Sequence, residues 1–495
     1  MAIAPAILVE KDDLGAKFAR GVAWSGLAKA LSQSAGWLAT LFVARYLSPT
    51  DYGLFGLAML YLGLLQLVAD LGLSTAVLAN RHLSDDDLPQ IHGLAALSGV
   101  AGAILVAVTA PLVGTFFHAA QLPLLLVALS PTFFVNSLRT VPQTLLQREF
   151  RFKWLAFLDA GQSLALSGLS IILAMAGFGY WTLAWAAIGS AVGNTAMVLW
   201  RKRLPLRWPK LARLRALLAF STQVILQRIA WYLSSNADFA TAGKFLGKAA
   251  TGSYMLAWSF AEAPIERVAS LVLQVSPAVL GAAASDRTAL KRHVLQATEL
   301  ISLLVFPMCF GMALVARPFV LLFLGQKWAT TIVPLELLAT YAAIRSLVPL
   351  LGQVLLVVNE EYYATRLMFI NLLVMPLAFF VGAKVAGIVG IAAAYMIAHP
   401  FVAIAYSSRA LARIGSSFRE FFVEALRPAV FCSACMVAVV LAVSYFCRNT
   451  SLKVQLSCDV AAGALAYVAP VALLYRHRLR MLVRTFRGSP LATTS

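Results

Sequence analysis

The chain has 495 residues, of which 61% are hydrophobic and 12% are charged, and its formal net charge is +19. Its mean hydropathy is +0.81, and its apolar runs of roughly 20 residues are each long enough to cross a bilayer as a helix, which excludes a water-soluble protein. Lipid cannot satisfy open backbone groups, and the runs are continuous rather than alternating. The sequence therefore predicts an all-α polytopic membrane protein.

Fourteen apolar segments follow one another along the chain. They cover residues 20–45, 53–79, 91–115, 122–147, 154–177, 179–200, 216–242, 252–281, 294–316, 329–358, 365–383, 388–408, 428–447 and 456–475. The eighth and tenth segments are long enough to be tilted or kinked, and Pro264, Pro334 and Pro349 are the expected kink positions. The mixed, charged segment before the first span does not resemble a cleavable signal peptide.

A short motif recurs 199 residues further along the chain. Residues 44–58 (ARYLSPTDYGLFGLA) reappear in diluted form at 243–257 (GKFLGKAATGSYMLA), and Gly53 is matched by Gly252. Each copy is a polar turn with a glycine between two apolar helices. The repeat predicts two homologous helical bundles, and such pseudo-symmetric halves are typical of transporters whose binding site lies between them.

The positive charge is distributed unevenly between the two sides of the predicted bundle. Of the 40 Lys and Arg residues, 27 lie on the side shared by the two termini and every second loop, and eight lie on the opposite side. This asymmetry follows the positive-inside rule and predicts that both termini are cytoplasmic. The basic loops are thus explained by topology and contact with anionic lipid, and nucleic acid is not an expected partner.

Five cations lie inside predicted spans, where each costs on the order of 3 kcal/mol and needs a reason. They are Lys29, Arg139, Arg228, Arg267 and Arg345. All but Arg267 form a symmetric set, because each half places one cation in its first span and one in its fourth. One hypothesis is a cavity that attracts an anionic headgroup. The alternative is ion pairing with the acids of the spans, namely Asp70, Asp159, Asp238, Glu262, Glu266, Glu299 and Glu336.

Polar residues also recur at helical spacing in the first and seventh spans. The first span carries Lys29, Gln33, Gly36 and Thr40, and the seventh carries Gln223, Gln227, Ser234 and Asp238. Because lipid penalises polar groups, these faces are expected to point inward. Small residues at such positions also serve ordinary helix packing, which is the alternative for Gly36 and Ser234.

The sequence contains no arrangement typical of an enzyme. Its six histidines are scattered, and Cys432 and Cys435 lie within an apolar run where they are expected to be packing residues. Glycine-rich phosphate-binding motifs do not occur, so no ATP hydrolysis, cofactor or metal site is predicted. No outer loop is long enough to hold a catalytic domain, which argues against a polysaccharide polymerase or ligase.

Three stretches of the chain resemble a known transporter family. LFVARYLSPTDYG (41–53), ADLGL (69–73) and LLQREFRF (145–152) are similar to segments of the Wzx-type polysaccharide flippases, which belong to the multidrug/oligosaccharidyl-lipid/polysaccharide exporter superfamily. The most similar branch serves exopolysaccharide or colanic-acid-like export. The resemblance extends over residues 15–450, and in the second half it includes Asp238, Gly252 and Pro264.

The resemblance implies an architecture and a function. It implies an N-lobe (20–200) and a C-lobe (216–413) of six spans each around a central cavity. To these it adds two further spans (414–475), a cytoplasmic segment (1–19), a basic linker (201–215) and a basic tail (476–495). It also implies a bacterial inner-membrane flippase that carries undecaprenyl-pyrophosphate-linked oligosaccharide by alternating access. Membrane lipids, a polysaccharide polymerase and export machinery are its expected partners.

On this hypothesis the residues already noted would take specific roles. Lys29, Arg139, Arg228 and Arg345 would hold the pyrophosphate. Gln33, Gln223 and Gln227 would add polar cavity contacts. Asp70 and Asp238 would couple transport to proton entry, with a structural ion pair as the alternative. Trp231, Tyr232 and Trp258 would stack on sugars, with packing or interfacial anchoring as the alternative. The rival functions are a peptidoglycan-precursor flippase, which would share the fold and a cationic cavity, and a multidrug antiporter, whose cationic substrates would favour an acidic cavity.

Overall fold

The computed structural model describes residues 34–79, 86–149, 151–210, 225 and 228–475. These residues form α-helices, short π and 3-10 segments and the connections between them. Ten of the described helical stretches are long and apolar enough to span a membrane. The prediction of an all-α polytopic membrane protein is therefore confirmed.

The N-terminal half of the chain contains eight helices in its described part. They are α1 (34–46), α2 (Pro49–Ala69), α3 (Leu73–Ala79), α4 (Asp87–Phe116), α5 (Leu122–Leu129), α6 (Pro131–Arg148), α7 (Phe152–Met175) and α8 (Trp181–Arg201). After α8, residues 203–210 continue without helix. Arg207 in this stretch donates its backbone N–H to Pro89 O of α4 at 3.1 Å, so the first part of the basic linker lies against α4.

The C-terminal half contains helices that are interrupted more often. They are α9 (228–235), α10 (Ala237–Pro264), α11 (Ser270–Ala282), α12 (Arg287–Phe319), α13 (Ile332–Arg345), α14 (Val348–Val357), α15 (Glu361–Ile414), α16 (Phe418–Phe421), α17 (Arg427–Cys447) and α18 (Leu452–Leu474). Within the residues that the structure describes, a helix or one leg of a kinked helix lies in each of the fourteen predicted segments.

Glycines and prolines divide the longest helices at specific points. Gly247 (φ 82°) separates α10 into two legs, and Gly387 (φ 59°) does the same in α15, because each adopts a backbone conformation that residues with a Cβ rarely adopt. A π-helical turn follows Pro264, and the chain leaves the helix before Pro349. Pro334 lies in the first turn of α13, which follows a 3-10 segment. The predicted kink positions are thus sites of helix irregularity.

The first copy of the repeated motif begins helix α2 by a specific capping arrangement. The Ser48 hydroxyl accepts a hydrogen bond from the Asp51 backbone N–H at 3.2 Å, and the Asp51 carboxylate accepts one from the Ser48 N–H at 2.8 Å. Pro49 occupies the first turn, where its missing N–H costs nothing. The sequence Ser-Pro-Thr-Asp therefore fixes the position at which α2 starts.

Helix α2 then packs closely against the second leg of α10, which begins within the second copy of the motif. This contact lies at the N-terminal end of α2 and joins the two halves of the chain. Nearby, the buried Trp328 donates its indole N–H to Ala44 O of α1 at 2.8 Å, which also links the two halves. The halves are therefore in tight contact at one end of α2.

Candidate functional site

A cavity of about 450 Å³ lies at the opposite end of α2, near the C-terminal ends of α2 and α6. Its lining residues come from α2, α3, α6 and α9, and most of them are polar. They are Gln66, Leu67, Asp70, Ser74, Leu78, Asn136, Arg139, Thr140, Gln143, Thr144, Gln147 and Arg228. The cavity therefore meets both halves of the chain, and its ionisable lining among the described residues is two arginines and one aspartate.

Helix α6 supplies half of this lining from a single face. Asn136, Thr140, Thr144 and Arg139 recur at spacings of three and four residues, which places them on one side of a helix. The Thr140 hydroxyl donates to Asn136 O at 3.1 Å, and the Thr144 hydroxyl donates to Thr140 O at 2.8 Å. The threonine hydroxyls therefore satisfy their hydrogen bonds within the helix and leave the cavity to the longer side chains.

Arg139 is held from behind by helix α7. Its Nη1 donates to Gln162 Oε1 at 3.4 Å, and the carboxylate of Asp159 on the same helix is near enough to attract it. Gln162 also accepts a hydrogen bond from the amide of Asn194 on α8. The guanidinium is thus positioned by a polar network on α7 and α8 while its side chain also lines the cavity.

Arg228 and Asp70 form an ion pair across the cavity. Arg228 Nη1 lies 3.5 Å from Asp70 Oδ2, and Asp70 Oδ2 also accepts a hydrogen bond from the Ser74 hydroxyl at 3.1 Å. The side chain of Arg228 remains 40% exposed, against 19% for Asp70. Because Asp70 caps the C-terminal end of α2 and Arg228 lies on α9, this pair connects the two halves at the cavity. The guanidinium keeps surface that a ligand can reach.

The predicted site residues are therefore brought together only in part. Asp70, Arg139 and Arg228 share one cavity, whereas Lys29, Gln33, Gln223 and Gln227 lie outside the described residues. Two members of the stripe on the first span are described, namely Gly36, which faces α7, and Thr40, which bonds within its own helix. A Cβ on Gly36 would come 3.8 Å from Ser163 Oγ of α7, and Thr40 donates to Gly36 O at 2.9 Å.

Arg345 lies apart from this cavity, in a cluster between α10, α13 and α15. It forms an ion pair with Glu262, and its guanidinium lies 5.2 Å from the centre of the Trp258 ring. The guanidinium of Arg267, another of the predicted span cations, lies over the ring of Trp37 at 4.8 Å. The position of Arg345 therefore agrees with the alternative hypothesis, in which the cations of the spans form ion pairs with acids of the spans.

Asp238 belongs to the same cluster as Arg345. Its side chain is fully buried, and its Oδ2 accepts a hydrogen bond from the Tyr254 hydroxyl at 2.9 Å. Tyr395 stacks on Tyr341 at a centroid distance of 4.7 Å, and its ring also contacts Trp258. Asp238 thus lies in an aromatic shell on the second half of the chain and does not line the cavity.

The aromatic residues expected to stack on sugars occupy other positions. Trp231 is 60% exposed on the surface of α9. The Tyr232 hydroxyl donates to Leu60 O of α2 at 2.9 Å and so joins the two helices. Trp258 packs against Arg345 and Tyr395. None of the three lines the cavity.

The cavity also contains residues that the sequence analysis missed. Gln66, Asn136, Gln143 and Gln147 carry side-chain amides, and three of them lie on α6. The helical spacing of Asn136, Arg139, Gln143 and Gln147 within an apolar span was the signal that could have identified them.

Comparison with known proteins gives consistent matches over most of the chain. A family model described as "Polysaccharide biosynthesis protein" matches residues 42–333. The lipopolysaccharide biosynthesis protein WzxC of Escherichia coli K12 is 23% identical over 420 residues, which cover 82% of this chain and 84% of WzxC. The succinoglycan biosynthesis transport protein ExoT of Rhizobium meliloti is 26% identical over 330 residues, 65% of each chain.

Solved structures show the same fold at lower sequence identity. The lipid II flippase MurJ, in an inward closed conformation, superposes with a TM-score of 0.73. It is 15% identical, and the match covers 92% of this chain and 100% of that chain. At this identity the likeness concerns the arrangement of the helices alone.

Proposed function

Because the chain belongs to the polysaccharide biosynthesis protein family, we propose that it is a flippase that moves a lipid-linked oligosaccharide across the bacterial inner membrane. It acts as a transporter and not as an enzyme. The similar proteins WzxC and ExoT are named for lipopolysaccharide biosynthesis and for succinoglycan transport. A saccharide attached to a lipid carrier is the form of cargo that fits a membrane protein with a polar cavity.

The observation that carries this proposal is the charge of the cavity. Its described lining has two arginines against one aspartate, and Asp159, the acid near Arg139, lies behind that arginine and is not a lining residue. The groups that a ligand meets in the cavity are therefore mainly guanidinium groups, which favour an anion over a cation. Guanidinium groups bind phosphate through parallel charge-assisted hydrogen bonds. We therefore assign Arg139 and Arg228 to the pyrophosphate of an undecaprenyl carrier, whose hydrocarbon tail remains in the bilayer. The same charge disfavours a multidrug antiporter with cationic substrates.

The shape of the molecule supports alternating access between its two halves. The halves are packed tightly at the N-terminal end of α2, and the cavity lies at its C-terminal end, about 25 Å away at 1.5 Å per helical residue. Transport then requires the closed end to open and the cavity end to close. The Arg228–Asp70 pair bridges the halves at the cavity, so phosphate that competes with Asp70 for Arg228 weakens this bridge.

Coupling of transport to an ion gradient is assigned to Asp238, with Asp70 as the second candidate. Asp238 is fully buried beside Tyr254, and Arg345 lies in the same cluster. Protonation of the Asp238 carboxylate therefore changes the net charge of that buried cluster. Replacement of Asp238 by Asn should abolish the dependence of transport on a proton gradient while the vesicles still bind substrate. If transport by Asp238→Asn still depends on the proton gradient and transport by Asp70→Asn does not, Asp70 is the coupling residue.

The function is tested by transport in reconstituted vesicles. The substrate is an undecaprenyl-pyrophosphate-linked oligosaccharide extracted from cells that lack the protein, and its exposure is followed with a membrane-impermeant lectin. Vesicles with the protein should move it at least tenfold faster than protein-free vesicles, and Arg139→Gln should remove the acceleration. Lys384→Gln, a cation exchanged outside the cavity, is the matched control. Transport of lipid II in place of this substrate would favour the peptidoglycan-precursor alternative.

A further inference from the structure

The glutamines of the cavity have hydrogen-bonding groups that the protein leaves unused. Among the described residues, the structure shows no hydrogen bond to the side-chain amides of Gln66, Gln143 or Gln147, although all three line the cavity. Asn136 Oδ1 is buried and likewise lacks a partner there. Polar groups inside a membrane protein are costly to leave unpaired. Four such groups around one cavity indicate that a ligand or water completes them.

The chemistry of these groups differs from that of the neighbouring arginines. A guanidinium only donates hydrogen bonds and carries a charge, whereas a carboxamide both donates and accepts and is neutral. Neutral groups with both capacities match hydroxyls, which also donate and accept. The described lining contains no aromatic ring on which a sugar could stack. Recognition of a saccharide by these described residues would therefore use hydrogen bonds to its hydroxyl groups.

The positions of the amides along α6 define which part of the cargo they meet. Gln143 is four residues and Gln147 eight residues beyond Arg139, which corresponds to about 6 Å and 12 Å along the helix. These separations are of the order of one and two sugar rings. If the cargo runs along α6 toward its C-terminal end, the first hydroxyl-rich group beyond a phosphate held by Arg139 would lie beside Gln143, and the next beside Gln147.

We propose that Gln143 and Gln147 of α6, with Gln66 of α2, form a subsite for the one or two uncharged sugars nearest the pyrophosphate. This inference rests on the proposed function, since it takes Arg139 as the phosphate ligand. It makes α6 the element that selects the glycan. The cavity then distinguishes a carrier loaded with saccharide from the bare carrier, which shares the phosphate but has no hydroxyl groups for the amides.

The test compares binding of two probes to the purified protein. One probe is undecaprenyl pyrophosphate, and the other is the undecaprenyl-pyrophosphate-linked oligosaccharide extracted from cells that lack the protein. The wild type should bind the glycosylated probe at least tenfold more tightly, as expected for two or three hydrogen bonds. Gln143→Ala/Gln147→Ala should lower that affinity to the level of the bare carrier and leave bare-carrier binding unchanged.

Two controls separate this inference from the proposed function. Gln455→Ala removes an amide on α18, away from the cavity, and should bind both probes like the wild type. Arg139→Gln should weaken both probes alike. Equal affinity of the wild type for both probes, or undiminished preference in the double glutamine variant, would overturn the saccharide subsite. If neither probe binds, or if Arg139→Gln has no effect, the proposed function itself fails.

Discussion

Gly53 and Gly252 occupy equivalent positions in the repeated motif and pack against each other in the structure. A Cβ added to Gly53 would come within 3.0 Å of the Gly252 nitrogen, and one added to Gly252 within 2.7 Å of the Gly53 nitrogen. Each would also overlap a carbonyl oxygen of the opposite helix, that of Lys248 or of Pro49. Pro49 and Lys248 are again 199 residues apart, so the contact is reciprocal, as a two-fold relation between the halves requires.

We predict that Gly53→Ala and Gly252→Ala each destabilise this closed end. A methyl group has no space against backbone atoms, so α2 and α10 must separate, at a cost of roughly 1–3 kcal/mol. The measurement is thermal unfolding of the purified variants together with polysaccharide export in cells. Gly161→Ala on α7 is the matched control, because a Cβ there meets nothing within 4 Å. Unfolding temperatures equal to the wild type in both variants would contradict the tight contact.

The two halves are predicted to superpose helix for helix. The first span should lie on the seventh and the fourth on the tenth, which places the α5–α6 pair on the α13–α14 pair and Arg139 near the position of Arg345. An experimental structure checks this by superposition of residues 34–201 on 228–414. Pairing of the first span with any span other than the seventh would refute the symmetric duplication.

Both termini are predicted to be cytoplasmic. A reporter enzyme that is active only in the periplasm should be silent when it is fused after Ser495 and active when it is inserted near Lys248, because 27 of 40 basic residues lie on the side of the termini. Activity of the two fusions in the opposite pattern would reverse the orientation.

The cavity cations are predicted to bind substrate. Arg228→Gln, Arg139→Gln and Lys29→Gln should each abolish export while the protein remains inserted at normal abundance. Arg228→Lys should retain less export than Lys29→Arg, because lysine lacks the bidentate geometry of a guanidinium. Export and membrane abundance are measured together on the same cells.

A structural role for Arg228 gives a different result. If its contact with Asp70 serves only the fold, Arg228→Gln lowers abundance and the double variant with Asp70→Asn restores it, because the penalty comes from an unpaired charge. Normal export from a stable variant that lacks both Lys29 and Arg228 would rule out the binding role.

Glu360, which precedes α15, is predicted to confer pH-dependent stability. Burial acts to raise the pKa of its carboxyl, but hydrogen bonds from Arg413 and Arg409 outweigh burial and lower the pKa below its ordinary value of 4.5. Arg409 contributes a bidentate contact at 3.0 and 3.2 Å. Because the folded pKa is the lower one, this stability is complete above pH 4.5 and is lost as the pH falls through the folded value.

Thermal unfolding of purified protein across the acid range checks this prediction. Glu360→Gln should unfold at a lower temperature than the wild type at neutral pH. Its unfolding temperature should also fall less than that of the wild type on acidification. The neighbouring, exposed Glu361 provides the control, and Glu361→Gln should follow the wild-type profile. Parallel pH profiles for the wild type and Glu360→Gln would contradict the assignment.

The sequence by itself determined the fold class, and it predicts fourteen membrane segments and a duplication. Continuous apolar runs admit only helices in lipid, and the capping residues Ser48 and Asp51 act through neighbours in the chain. The identification of Arg139, Arg228 and Asp70 as unusual also came from the sequence, because charge inside a span is costly wherever it points.

Only the tertiary structure decided which of these residues meet. Arg139 and Arg345 have equivalent positions in the predicted duplication, yet the first lines the cavity and the second pairs with Glu262. The sequence could not distinguish them, because the direction of a side chain depends on how helices distant in the chain are rotated and kinked. The same reason applies to the amides of α6. Their helical spacing puts them on one face, but only the packing of α2 and α9 shows that this face lines a cavity.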